Sequence, residues 1–247
     1  MGMAGMALII ISTAVLLFGA HTWKRDLRVG SVVVLGTRIL TPADVVTQAG
    51  ITRGEKLFAV DLGGVKRKIE THPFVRQATV QRDAPDRITI LLEEREPIVA
   101  VMTNHLLYLD PEGFVLPAVA SEHVFDLPVI TGAIPAAECV PGKRITANAT
   151  QEALEFLTLA KKVSDEMYHR ISEVRVEDQR DMVLYTAEYG IPIIVGKGNS
   201  AEKLIRLEAF WKDIVSRQGA QGLQYVDLRF EDQVVVRWNR SRSGGGE

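Results

Sequence analysis

A few residues of this chain could carry chemistry, and their spacing rules most of it out. VGKGN (Val195–Asn199) has the glycines and lysine of a phosphate-binding loop. Such a loop cradles phosphate with backbone N–H groups and holds magnesium with a Ser or Thr hydroxyl. Here five residues rather than four separate Gly190 from Gly196, and Gly198 stands where the hydroxyl belongs. A strand–turn–helix connection accounts for the same glycines. Cys139 is the single cysteine, so the chain cannot form an internal disulfide, a CxxC pair or a thiolate zinc site. A thiol nucleophile needs a neighbouring base. The histidines at 21, 72, 105, 123 and 169 form no pattern with Cys139, and no two have HExxH-like spacing. The carboxylates fall in turns and amphipathic helices, and the run Glu93–Glu96 reads as a solvated strand end. No catalytic, cofactor or metal site is expected.

The chemistry left is that of binding. QYVDLRFEDQVVVRW (Gln224–Trp238) places two strand-like runs around an acidic turn, almost at the end of the chain. A terminal strand often lies at a sheet edge, where unpaired N–H and C=O groups are either a hazard or a dock. Trp238 has two readings: an edge residue folded back onto its sheet, or an exposed anchor of a protein–protein contact.

The remaining sequence must position this ending. The net charge of −2 and the 24% charged residues give no basic excess, which argues against nucleic acid. Met3–Trp23 contains no Asp, Glu, Lys or Arg. As a helix it would span roughly 31 Å, enough to cross a hydrocarbon core of about 30 Å. A retained membrane anchor is expected over residues 1–26. A cleaved signal peptide fits less well, because a basic n-region is missing and the apolar stretch is long. Lys24, Arg25 and Arg28 follow the span, so the positive-inside rule alone would leave the large domain cytoplasmic.

After the span, VVVLG (Val32–Gly36) reads as a strand. TPADVVTQAG (Thr41–Gly50) is a punctuated helix, with Thr41 as N-cap, Pro42 at the first helical position and Gly50 as stop. Asp61–Pro73 reads as a second helix. Phe74–Arg82 and Arg87–Glu94 form a hairpin about DAPD, with Phe74, Ala78 and Val80 on one face and Ile88, Ile90 and Leu92 likewise. The order β-α-α-β-β over residues 27–96 implies a small α+β domain. Residues 97–240 form a larger mixed α+β domain: short strands at Ile98–Thr103, Leu106–Asp110 and Phe114–Pro117, then a long loop to about Ala147. A helix at Thr150–Val163 and three strands within Ile171–Gly196 follow. Next comes a helix at Ala201–Arg217, capped by Asn199 and Glu202, with Leu204, Leu207, Trp211, Ile214 and Val215 as its apolar stripe. Phe156, Phe210 and Trp211 read as core. The Ser-Gly-rich end, 241–247, is expected to be disordered.

On these residues the chain resembles the bacterial cell-division family FtsQ/DivIB. The first domain looks like a POTRA domain, carried by Val32–Gly36, Gly54–Leu62, Ile69–Ala100 and Tyr108–Gly113. Tyr225–Phe230 (YVDLRF) matches a C-terminal family motif. The resemblance covers nearly the whole chain, apart from Pro117–Ala149. It implies a non-catalytic scaffold with one transmembrane helix in the inner membrane. The N-terminus would be cytoplasmic, and the POTRA domain and a β domain ending in edge strands would be periplasmic, at the division septum. It implies FtsB- and FtsL-like partners, bound by strand addition at the C-terminal edge, with other divisome components as candidates for the POTRA domain. The implied contact residues are Lys197, Tyr225, Arg229, Phe230, Val234, Val236 and Trp238. Family members carry a basic cytoplasmic tail, so the natural start is expected upstream of Met1. A POTRA-bearing secretion or outer-membrane assembly factor is the alternative. It would be expected to continue into alternating barrel strands, which are not seen after residue 100.

Overall fold

Thr41-Pro42 starts a helix and Gly50 stops it, as the local chemistry dictates. In the computed structural model the Thr41 hydroxyl accepts the Asp44 N–H at 3.2 Å, and Gly50 closes the helix with φ +66°. The structure describes residues 5, 6, 8–16, 27–119, 125–132, 134, 136–176 and 181–239. They belong to two compact units, divided between Arg95 and Glu96.

In the first unit, β1 (Ser31–Leu35) leads to α1 (Pro42–Ala49) and α2 (Leu62–Glu70), then to β2 (Val75–Asp83) and β3 (Arg87–Glu94). The sheet order is β1-β3-β2, with β1 parallel and β2 antiparallel to β3. Val45, Ala49, Val65 and Ile69 from the helices share a core with Ile88, Ile90 and Leu92. Burying each such aliphatic side chain is worth roughly 1.5–3 kcal/mol. Two expectations change. A register shift between Val75 and Gln77 brings Val75 into the core as well as Ala78, which breaks the strict period of two. Glu94 is not a solvated strand end: its carboxylate accepts the N–H groups of Arg38, Ile39 and Leu40 at 3.0, 2.7 and 3.0 Å. It ties down the segment entering α1.

The second unit is built on one nine-stranded sheet. Its strands are β4 (Val99–Met102), β5 (Leu106–Leu109), β6 (Val115–Pro117), β7 (Val129–Gly132), β8 (Ile171–Val176), β9 (Val183–Thr186), β10 (Pro192–Ile194), β11 (Leu223–Asp227) and β12 (Val235–Trp238). The spatial order is β12-β11-β10-β9-β8-β7-β4-β5-β6. Strand β7 lies inside what the sequence reads as a loop. It runs parallel to both β4 and β8 and joins the two halves of the sheet. At its end Gly132 faces Val176 at φ +103°. A Cβ there would stand 1.8 Å from the Val176 carbonyl oxygen, so only glycine fits.

Helices α3 (Asn148–Val163) and α5 (Ser200–Phe210), with the short α4 (Asp165–His169) between them, fill the core of this unit through Leu154, Phe156, Leu157, Met167, Leu204 and Leu207. The buried Tyr168 hydroxyl donates to the Ile98 carbonyl at 2.6 Å, and burial pushes its pKa well up. Two details of α5 differ from the sequence reading. Asn199 sits at φ +51° and makes no side-chain cap. The helix passes into a π-helical turn at Trp211–Val215, which shifts the phase of the stripe: Trp211 and Val215 stay buried while Ile214 is exposed. Phe210 is only partly buried.

Among the described residues no helix is long and apolar enough to cross a membrane. The expected anchor, Met3–Trp23, is described only at 5, 6 and 8–16, where it is helical. The remainder of it lies outside the described residues, as does the tail 241–247.

Candidate protein-docking edge

Strand β12 is the outermost strand of the large sheet. It pairs antiparallel with β11, with Asp227 opposite Val235, Val226 opposite Val236 and Tyr225 opposite Arg237. The register slips between Leu223 and Tyr225, which sets Leu223 opposite Trp238. The pairing ends where the Asn239 N–H donates to the Gly222 carbonyl at 2.6 Å. Among the described residues, the main chain of β12 and Asn239 bonds only to β11 and Gly222. Among the described residues the other side of the strand is an open hydrogen-bonding edge.

Alternation sorts its side chains. Val234, Val236 and Trp238 pack against the core of the unit, each partly buried. Val235 and Arg237 fall on the opposite face, with Arg237 exposed. The valine run is therefore floor as well as edge. Trp238 is folded back onto the core yet keeps part of its ring in solvent.

The turn between β11 and β12 carries the second aromatic, Phe230, 47% exposed. Leu228 enters the turn buried, its N–H donating to the Ile194 carbonyl at 2.9 Å, which extends the parallel pairing of β10 with β11. Asp232 takes φ +55° within the turn.

Arg229 is committed to its own chain. Its Nε donates to Asp227 Oδ1 at 3.0 Å and its Nη2 to Asp227 Oδ2 at 2.7 Å, a two-pronged pair. Its Nη1 donates to Asp181 Oδ2 at 2.9 Å. Asp227 is 4% exposed, and the hydrogen bonds from Arg229 hold its carboxyl below the usual carboxylate range against the opposing pull of burial. Asp227, followed by Asp181, raises the Arg229 pKa in turn. The Arg229 stem crosses Gly196, where a Cβ would meet Cγ at 2.6 Å and φ is +68°. That close passage, rather than a phosphate, is what the first glycine of GKG accommodates.

Lys197 projects from the turn before α5, and its side chain is exposed. Its carbonyl accepts from the buried Lys203 Nζ at 2.8 Å. Burial first, and Arg206 second, pull the Lys203 pKa down. Three residues up the helix, Arg206 Nη1 donates to the carbonyls of Phe230 at 2.8 Å and Gln233 at 3.2 Å.

The structure thus gathers Tyr225, Arg229, Phe230, Val234, Val236 and Trp238 on one hairpin at the sheet edge, with Lys197 tied to the helix that braces it. Asp181, Lys203 and Arg206 were missed by the sequence reading. The i, i+3 spacing of the two cations was legible, but the carbonyls they serve lie in distant turns. Among the described residues no group of three His, Cys, Asp or Glu side chains could hold a metal ion.

A small α+β domain of POTRA order followed by a domain with an open C-terminal edge defines the class of protein. Family comparison gives the same division. Residues 27–95 match the model described as "POTRA domain, FtsQ-type", and residues 96–236 match "FtsQ/DivIB, C-terminal related". The chain belongs to the FtsQ/DivIB family, a family of non-catalytic scaffolds, and is not an enzyme. It is similar to the cell division protein FtsQ of Geotalea daltonii, at 27% identity over 81% of this chain and 72% of that one. It is similar to that of Rhodothermus marinus, at 28% identity over 88% and 80%. It is similar also to that of Salinibacter ruber, at 27% identity over 95% and 92%. Among solved structures, POTRA1-2 of the periplasmic domain of Omp85 from Anabaena covers 62% of this chain and 95% of its own, at 15% identity and a TM-score of 0.24, which supports no further conclusion.

Proposed function

We propose that this chain is a division-site scaffold that holds an FtsB- or FtsL-type partner by adding a strand of that partner to β12. The observation that carries the proposal is the open main-chain edge of β12, bordered by two partly exposed aromatics at Phe230 and Trp238. Strand addition takes its affinity from main-chain hydrogen bonds and its selectivity from alternating side chains. Val234, Val236 and Trp238 would line the partner strand on one face, Tyr225 would support Arg237 from β11 on the other, Phe230 would anchor the strand at the turn, and the exposed Lys197 would meet a partner carboxylate. Arg229 borders the same edge with its guanidinium already held by two aspartates. The family relationship supports a single-pass inner-membrane placement, with the N-terminus cytoplasmic and the bulk of the chain periplasmic.

The test is titration of the full chain with overlapping peptides covering the FtsB-like protein of the same organism. Phe230→Ala or Trp238→Ala is expected to weaken the best peptide by about 2 kcal/mol or more, as truncation of an aromatic anchor does. Unchanged affinity in both variants would reject the assignment.

A further inference from the structure

Two cations on α5 hold the two turns that carry the proposed contacts Lys197 and Phe230, and neither needs to touch a partner. Lys203 and Arg206 stand at i and i+3, so they share one face of the helix. Lys203 Nζ reaches the carbonyl of Lys197 at 2.8 Å. Arg206 Nη1 reaches the carbonyls of Phe230 and Gln233 at 2.8 and 3.2 Å. In each case the main chain of a proposed contact residue is fixed while its side chain is left to solvent.

The β11–β12 turn has few other supports. Phe230, Glu231, Asp232 and Gln233 are all exposed. The carbonyls of Phe230 and Gln233 face a charged donor in place of water, and bonds of that kind are among the stronger ones in proteins. The Arg206 Nε is buried with no partner among the described residues. A guanidinium that leaves one donor unmet while two carbonyls are served is placed for those carbonyls. Lys203 is 5% exposed, yet the only hydrogen bond of its ammonium among the described residues is to the Lys197 carbonyl. A charge at such a site is costly unless it is paired and hydrogen-bonded. Asp181 and Asp227 supply compensating negative charge to it, and Asp227 in turn holds Arg229.

We propose that Lys203 and Arg206 are positioning residues of the docking edge: from one face of α5 they fix the main chain at Lys197, just after β10, and at Phe230–Gln233, just before β12, and so set the separation of these two proposed contact sites. The docking role rests on the function proposed above. The positioning role does not, because it can be read without a partner.

Hydrogen exchange and peptide titration of the full chain test the inference together. Arg206→Ala should speed amide exchange across residues 230–238 by about tenfold while leaving β8 and β9 unchanged, a local opening rather than global loss. It should weaken the best FtsB-derived peptide about tenfold. Arg206→Lys, which can still reach one carbonyl, should recover part of both losses. Lys203→Met keeps the packing volume, and should loosen residues 196–199 and weaken binding about threefold. In a double-mutant cycle with the charged positions of the peptide, Arg206 should show no coupling. Unchanged exchange at 230–238 in Arg206→Ala would overturn the inference, and so would strong coupling of Arg206 to one peptide carboxylate. Should Arg206→Ala fail to fold, Arg206→Lys with Lys203→Met decides by the same readouts. If the wild-type chain binds no peptide, the docking function fails, and the exchange result alone decides the positioning role.

Discussion

The large sheet has two edges, and they are finished differently. At one end β6 is only Val115–Pro117, with Val115 and Leu116 fully buried. Its flank is covered by the chain at 142–145: the Val115 N–H donates to Lys143 O, Gly142 N–H to Val115 O and Ile145 N–H to Gly113 O, at 2.8 to 2.9 Å. Pro117 ends it with a residue that has no N–H to offer. At the other end β12 is half-buried on one face, and its outer main chain bonds to nothing among the described residues. Natural sheets blunt or cover edges that would otherwise pair with foreign strands. Among the described residues one edge here is covered and the other is braced from behind and open.

Variants can break or sharpen this contrast. The largest effect is expected at the open edge, where Trp238→Ala should weaken an FtsB-derived peptide by about 2–4 kcal/mol, measured by calorimetric titration. Next is the ion cluster beneath it. Arg229→Met strands the buried Asp227 carboxylate and should cost about 2 kcal/mol of stability in urea unfolding. This lies below the figure for a fully buried pair because Arg229 itself is half-exposed.

The same pair predicts a pH signature. The folded pKa of Asp227 is depressed, so its contribution is present above the unfolded value of about 3.9 and is lost as pH falls through the folded pKa. The stability gap between wild type and Asp227→Asn should therefore be full at pH 7 and shrink below about pH 4. A gap that stays constant down to pH 2.5 would contradict the pairing. The smallest effect belongs to the covered edge: Pro117→Ala should change peptide affinity by no more than about 0.5 kcal/mol, within the range of substitutions remote from a contact. A larger change would mean that the two edges are not distinct in use.

One side of this contrast, the C-terminal strand, was legible in the sequence, and what was not has physical reasons. Thr41-Pro42 and Gly50 act locally, so α1 could be read directly. The alternation of Ile88, Ile90 and Leu92 reports a face that is buried in fact. Strand β7 was not legible, because VITG has only four residues, with Ile130 alone fully buried, too few to display a period within a Pro- and Gly-rich stretch. The period-3.6 reading of α5 placed Ile214 inside because periodicity carries no sign of a π-helical turn. At the edge itself, Phe230 and Trp238 were visible as aromatics late in the chain. The engagement of Arg229 by Asp181, 48 residues away, was not, and neither was the reach of Arg206 to carbonyls 24 and 27 residues on. Contacts between a side chain and a distant backbone leave no spacing to find.

Strand addition would cover the outer main chain of β12. Residue-resolved hydrogen exchange of the full chain, with and without a saturating FtsB-derived peptide, tests it most directly. Amides of Val235–Trp238 should exchange at least tenfold more slowly in the complex, while those of β6 should not change. Peptide binding that leaves Val235–Trp238 exchanging at the free rate, or that protects β6 instead, would contradict it.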